Sequence, residues 1–74
     1  MDKLMKVSLA KLWLHNHGQL AETWRKDEGL VRHYASRPIE FPIELEPNFP
    51  DKIRDGRHRV LAATIRGDFE IEAR

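Results

Sequence analysis

The stretch Ile53–Asp68, "IRDGRHRVLAATIRGD", decides how this chain folds. It opens on an Asp-Gly pair, passes through three basic residues, and continues as an alanine-containing apolar run that closes on Gly67. A glycine suits the left-handed backbone that ends many helices. The pattern predicts a helix that begins after Gly56, against the alternative of a β-hairpin that turns at Asp55-Gly56. Three apolar residues recur at the spacing of one helix face: Val60, Leu61 and Ile65.

The residues on either side of this stretch predict strands. Downstream, "DFEIEAR" alternates Phe69, Ile71 and Ala73 with charged residues, which is typical of a closing strand with one buried face. Upstream, residues 39–46, "IEFPIELE", alternate in the same way. Pro42 has no N–H to donate, so the start of that strand is expected at an edge or an unpaired position. Between the two, "PNFPD" is a turn by composition and "KIR" is long enough only for a short strand.

The first half of the chain is predicted to be mostly helical. Val7 ends a short strand in this interpretation, and Ser8 caps a helix that follows it. A further helix would stop at Gly29, and a second short one would run up to Pro38, which forces the residue before it out of the helical region. Helices at the start, strands around one alanine-rich helix and a strand at the end define a small α+β domain.

Seventy-four residues make one domain, residues 1–74, because a chain this short buries only about 60% of its unfolded surface. The sequence contains no cysteine, so disulfides cannot reinforce the core, and homo-oligomerisation or a partner is expected to add burial. Lysines interrupt the first apolar residues, so no signal peptide is predicted, and no run approaches the roughly 20 apolar residues of a membrane helix. We therefore expect a cytoplasmic protein with no membrane partner.

The net charge is only +1, but the charges are unevenly placed. Residues 52–66 contain five Lys and Arg residues and one acid, and acidic residues flank that segment on both sides. The simplest interpretation is that strands and helix expose charged faces for solubility.

The basic residues at the start of the predicted helix are electrostatically unusual. The N-terminal end of a helix dipole is already positive and normally attracts Asp or Glu, so cations there cost stability. An anion would offset that cost, because free N–H groups, the dipole and the guanidinium groups of Arg57 and Arg59 make a phosphate site that Gly56 lets oxygens approach. The alternative is that Asp55 alone neutralises the turn and the arginines face water.

These residues resemble a known superfamily. "PIELEPN" followed by "IRDGRHRVLAATIRGDFEIEA" is similar to the ParB and sulfiredoxin-like domains, in which a Pro-Ile strand, a strand ending in an Asp-Gly-x-His-Arg box, an alanine-rich helix, a glycine and a short strand follow one another. The resemblance covers residues 42–73. It implies a short mixed sheet, a loop 56–59 that cradles nucleotide phosphates, arginines that neutralise them, and His58 beside the scissile or transferred phosphate.

The chain departs from the family pattern at two boxes. Sulfiredoxins need a cysteine at the position of Arg57, so their activity is excluded for this chain. Partition proteins have a glutamate at the same position, and its replacement by Arg57 argues against their nucleotide hydrolysis. The family's earlier Gly-x-x-Gln-Pro-Ile box aligns with "PIEFPI", where Pro38 and Phe41 replace the Gly and the Gln. The resemblance thus implies a minimal stand-alone version of the fold, of the kind that often belongs to phages or mobile elements.

Two hypotheses about function follow. In the first, Gly56, Arg57 and Arg59 bind a phosphate-bearing ligand, either nucleic acid or a nucleotide such as a nucleoside triphosphate with Mg²⁺. Any weak nucleotide hydrolysis or nuclease activity would use Asp55 as a ligand of the cation and His58 as acid or base. In the second, the domain is a catalytically inactive regulator or inhibitor whose acidic strands meet a basic host protein such as a nucleic-acid enzyme.

Other residues carry less weight. His15 and His17 lack a further metal ligand nearby in the sequence, so no metal site is predicted. The larger aromatic residues are candidates for a platform on which bases stack, but in a domain this small most are expected in the core. These residues are Trp13, Trp24, Tyr34, Phe41 and Phe69.

Overall fold

The computed structural model describes residues 4–39 and 41–74. The elements in chain order are β1 (Met5–Ser8), α1 (Leu9–Ala35), β2 (Glu44–Leu45), β3 (Ile53–Asp55), α2 (Arg57–Ile65) and β4 (Glu70–Ala73). β1 pairs antiparallel with β4, and β2 pairs antiparallel with β3. The chain is a small α+β domain, as the sequence predicts.

A single residue, Ile43, connects the two pairs of strands. Its N–H donates to the carbonyl of Glu72 at 3.0 Å, and its own carbonyl accepts from the Arg74 N–H at 2.8 Å. The next residue along the chain, Glu44, pairs with Asp55 of β3. Ile43 therefore links β4 to the start of β2, and its side chain is fully buried.

The strand predicted over residues 39–46 is much shorter in the structure. Paired residues begin at Ile43, after Pro42, because proline has no amide hydrogen to add to a ladder. Phe41 is exposed rather than buried, so the alternation of that segment does not mark one buried face. Glu40 lies outside the described residues.

Helix α1 begins at the predicted cap. The Ser8 hydroxyl accepts a hydrogen bond from the Lys11 amide at 3.3 Å, which satisfies one of the donors that a helix start leaves open. The helix ends at Ala35, ahead of Pro38, as predicted. Within the ranges that the structure covers, no helix is both long enough and apolar enough to cross a membrane.

The predicted division of the helical half falls close to Gly29 but not at it. α1 runs from Leu9 to Ala35, and its backbone is kinked out of helical angles at Asn16 and at Asp27, two residues before the predicted stop. A glycine inside a helix costs only about 1 kcal/mol relative to alanine. Burial of the apolar face of α1, including Leu20 and Val31, offsets that cost.

The Asn16 side chain ties the first irregular turn of α1 to β3. Its amide nitrogen donates to the carbonyls of Leu12 and Asp51, each at 2.8 Å, and its oxygen accepts from the Ile53 amide at 3.0 Å. Asn16 is buried, so these bonds replace the water that its amide group lost.

Helix α2 begins and ends where the sequence predicts. Gly56 is its N-cap residue, which excludes the hairpin turn at Asp55-Gly56. Gly67 follows the helix with a φ of 82°, in the left-handed region that favours glycine. α2 packs along α1, and its buried residues join those of α1 and the strands in one core. The buried residues of α2 are Val60, Leu61, Ala62 and Ala63.

The aromatic residues are less buried than predicted. Trp13 and Trp24 are half-buried against the core, and the Trp13 indole N–H donates to the Thr64 hydroxyl at 2.9 Å. The other four are exposed, with fractional exposures of 41%, 67%, 66% and 87% for Tyr34, Phe41, Phe49 and Phe69. The expectation that most aromatic side chains lie in the core is therefore wrong.

Candidate functional site

The turn into α2 is shaped by close packing around Gly56. Its φ is 115°, a conformation that side-chain-bearing residues rarely adopt. A Cβ at this position would lie 2.8 Å from the Cβ of Ile43 and 3.2 Å from Nη2 of Arg59. A side chain at residue 56 would clash with Ile43, so the fold requires glycine at this position.

The first turn of α2 has no cap. Gly56 offers no side chain to accept a hydrogen bond, and no acidic residue lies in the first turn. The bonds of the helix begin with the Val60 N–H, which donates to the Gly56 carbonyl at 2.9 Å. The amides of residues 57–59 are the opening donors, and they carry the positive end of the dipole.

Arg57 is exposed, and its guanidinium makes no hydrogen bond or ion pair within residues 4–39 and 41–74. It lines a cavity of about 350 Å³ between α1 and the start of α2. The remaining lining residues are Gln19, Glu22, Thr23, Lys26, Asp27 and His58.

The other charges of this cavity are paired with one another. The Lys26 ammonium contacts the Glu22 carboxylate at 2.9 Å, and this hydrogen bond and its charge hold the pKa of Glu22 below its usual value. The same contact raises the pKa of Lys26. Asp27 contacts the ring of His58, and the Arg57 guanidinium contacts no acid among the residues that the structure describes.

His58 is positioned by two residues of α1. Its Nε2 lies 3.0 Å from Oδ2 of Asp27, and its ring meets the ring of Tyr34 edge-on, with 6.3 Å between centroids. Asp27 is at the second irregular turn of α1, so its carboxylate reaches α2 from a distorted stretch of backbone. These partners cannot be predicted from the sequence, because Asp27 is one acid in the polar run "RKDE" and lies far from His58 along the chain.

Arg59 holds the loop together in this structure. Its guanidinium donates to the carbonyls of Phe41 and Pro42 at 3.2 and 2.9 Å and to Oδ2 of Asp55 at 2.9 Å. Only 20% of its side chain is exposed. In the alternative, Asp55 alone neutralises the turn and the arginines face water. Asp55 pairs with Arg59 and Arg57 is exposed, but Arg59 does not face water. A phosphate contact from Arg59 stays a prediction.

Asp55 is exposed, and one of its carboxylate oxygens is engaged by Arg59. In the part of the chain that the structure covers, no three His, Cys, Asp or Glu side chains converge as a metal-binding group. Nε2 of His15 lies 3.8 Å from Oδ2 of Asp51. One of the two histidines considered as metal ligands in the sequence therefore contacts an acid. The roles of Asp55 and His58 in catalysis stay predictions.

The five predicted site residues, which are consecutive in the sequence, lie in one turn, and their side chains have different surroundings. Arg57 lines a cavity, His58 contacts Asp27 of α1, and Gly56, Asp55 and Arg59 build the loop. Comparisons of the chain with protein-family models, curated proteins and solved structures found no match. The resemblance to ParB and sulfiredoxin-like domains accordingly stays a prediction from the residues.

Proposed function

We propose that this domain, as a minimal ParB-like module, binds a phosphate-bearing ligand, nucleotide or nucleic acid, at the start of α2. The observation that carries the proposal is the exposed guanidinium of Arg57, which makes no hydrogen bond or ion pair among the described residues, at the start of a helix whose first turn has neither a side-chain cap nor an acidic residue. Amides and a guanidinium fork are the donors that bind phosphate oxygens most effectively in proteins.

The proposed roles differ among the residues of the loop. Arg57 and the amides of residues 57–59 hold phosphate oxygens, while Arg59 and Gly56 keep the backbone in the shape that presents those amides. His58 lies beside the phosphate, with Nε2 engaged by Asp27 and Nδ1 available to the ligand. Any weak hydrolysis of nucleotide or nucleic acid would use His58 as acid or base, and the free oxygen of Asp55 as a contact for Mg²⁺ bound with the nucleotide.

Calorimetric titration with tripolyphosphate, nucleoside triphosphates and a short DNA oligonucleotide tests this proposal. Arg57→Ala should weaken binding of the ligand that binds best about tenfold or more, because a charge-assisted contact to phosphate is lost. The matched control is Arg54→Ala. It also removes one exposed guanidinium without a partner in the described chain, but that guanidinium does not line the cavity.

Arg54→Ala should leave the affinity within about twofold at 0.15 M salt, where exposed charges more than about 8 Å apart are largely screened. Equal losses in the two variants would indicate general attraction of anions to a basic surface. Absence of binding by every phosphate-bearing probe would overturn the proposal. Arg59→Ala is unsuitable as the diagnostic variant, because it also releases the carbonyls of Phe41 and Pro42.

A second candidate function is favoured by the exposure of Phe69. This side chain is 87% exposed and stands between Asp68 and Glu70, beside the acidic surface of β4. We propose as the alternative that an inactive regulator, encoded by a phage or mobile element, uses this surface against a basic cytoplasmic protein of the host's nucleic-acid machinery. Capture of one identified basic protein by the wild type and not by Phe69→Ser, without any phosphate-ligand binding, would favour this alternative.

A further inference from the structure

A second cavity, of about 190 Å³, lies on the other side of the loop and is mainly apolar. We call it the aromatic cleft. Its lining residues are Tyr34, Arg37, Pro38, Ile39, Phe41 and Arg59. Two of them, Tyr34 and Phe41, are exposed aromatic side chains that do not belong to the core.

The aromatic cleft adjoins the proposed phosphate site through two contacts. Arg59 lines the cleft, and its Nη2 is the atom that would lie 3.2 Å from a Cβ on Gly56 at the start of α2. On the other wall, the ring of Tyr34 touches the ring of His58. A ligand whose phosphate lies against the amides of residues 57–59 therefore has an aromatic-walled recess within reach of its remaining atoms.

The charged group of the cleft that is open to a ligand is the guanidinium of Arg37. It makes no hydrogen bond or ion pair to the residues that the structure describes, whereas Arg59 is engaged by two carbonyls and a carboxylate. A guanidinium presents a fork of donors and no acceptor, so it matches two adjacent acceptors on a planar ring.

We propose that the aromatic cleft takes the base of a nucleotide and favours guanine over adenine. This inference rests on the proposed function, because the phosphate must be held at α2. Stacking on Tyr34 and Phe41 supplies affinity for any base, since every base has an aromatic face. Arg37 supplies the preference, since guanine offers O6 and N7 as two acceptors where adenine offers N7 and an amino donor.

Titration with tripolyphosphate, ATP and GTP separates the contributions. Tripolyphosphate measures the phosphate site alone, and the two purine nucleotides have the same ring system but different edges. We expect ATP to bind about tenfold more tightly than tripolyphosphate through stacking. We expect GTP to bind about fivefold more tightly again through Arg37.

Three variants assign these differences to residues. Phe41→Ala should lower the affinity for both nucleotides about tenfold and leave that for tripolyphosphate unchanged. Arg37→Ala should abolish the preference for GTP over ATP. Arg57→Ala should weaken all three ligands. Tyr34→Ala is a second test of stacking, and circular dichroism checks that each variant keeps its fold.

A structural measurement makes the test independent of affinity. A base between the two aromatic rings should shift the methyl proton resonances of Ile39, which lines the cleft, through its ring current. Tripolyphosphate should leave those resonances unshifted.

The outcomes distinguish this inference from the function on which it rests. Equal affinity for tripolyphosphate, ATP and GTP, with loss on Arg57→Ala, would overturn the base site and leave the phosphate site standing. Stacking without a preference for GTP, or a preference that survives Arg37→Ala, would overturn the assignment of guanine. If none of the three ligands binds, the cleft inference fails, and the proposed function fails with it if the DNA oligonucleotide does not bind either.

Discussion

Gly56 is the residue on which the shape of the candidate site depends most directly. It combines a left-handed backbone with a close approach to the side chain of Ile43. The first property is visible in the sequence, because an Asp-Gly pair signals a turn. The second is not, because Ile43 is distant along the chain and comes close only when both pairs of strands have formed.

Substitution of Gly56 by alanine should destabilise the domain more than the same change at Gly67. Both glycines have positive φ, and a Cβ there costs about 1–2 kcal/mol of backbone strain. At Gly56 the Cβ also collides with Ile43, which adds about 1–3 kcal/mol of overpacking. Urea unfolding of the two variants measures the difference in the free energy of unfolding.

Gly67 is the matched control, because no atom lies within 4 Å of its Cβ position. Equal losses of stability in the two variants would mean that the contact with Ile43 relaxes freely. In that case the packing explanation for Gly56 would be wrong.

Helix α1 has two irregular turns, and each carries a polar side chain that contacts a distant residue. Each of them sends a polar side chain to a distant part of the chain: Asn16 to the backbone around β3, and Asp27 to His58 of α2. A straight helix would present these positions at different angles. The irregular turns therefore belong to the packing of the domain.

Asn16→Ala should lower the free energy of unfolding by about 2–4 kcal/mol, because it leaves the Ile53 amide and the Asp51 carbonyl without partners in a buried place. Gln19→Ala, at an exposed position of the same helix, should change stability by no more than about 0.5 kcal/mol. Thermal or urea unfolding checks both variants. A loss below about 1 kcal/mol for Asn16→Ala would show that water replaces its side chain.

Elements with local signals could be predicted from the sequence, and elements that depend on distant contacts could not. Glycines at both ends fix α2, and strict alternation fixes β4. The kinks of α1 at Asn16 and Asp27 accompany side-chain contacts with distant segments, and the shortness of β2 follows from pairing that begins at Ile43. In both cases tertiary contacts decide the outcome.

The same distinction holds for the candidate site. The basic turn before α2 and the exposed position of Arg57 follow from the order of residues 55–59. The contacts of Arg59 with Phe41 and Pro42, and of His58 with Asp27, join segments that are far apart in the sequence. For this reason the sequence predicts the same role for Arg57 and Arg59, whereas the fold gives the two side chains different surroundings.

The whole domain is small and flat, with Cα extents of 33 × 25 × 17 Å, so much of its apolar surface stays outside a single core. β4 shows the contrast most sharply. Ile71 is buried in the core, while Phe69, which precedes the strand, is among the most exposed side chains described. The size of an apolar side chain therefore does not predict whether Ile71 or Phe69 belongs to the core.

Ile71→Ala should destabilise the domain by about 2–4 kcal/mol, because it leaves a cavity in the core. Phe69→Ala should change the free energy of unfolding by no more than about 0.5 kcal/mol, since its side chain is in water. Unfolding curves of both variants test this contrast. A large loss for Phe69→Ala would mean that an oligomer covers this side chain, and a concentration-dependent melting temperature would then accompany it.

The position of Ile43 between the two sheets has a consequence for proteolysis. A protease that trimmed β4 would remove the Glu72 carbonyl that holds the Ile43 amide, and Ile43 is the residue that presses on Gly56. Cleavage within β4 would thereby loosen the packing of Ile43 against the turn into α2. Degradation of that strand and failure of the proposed anion site would occur as one event.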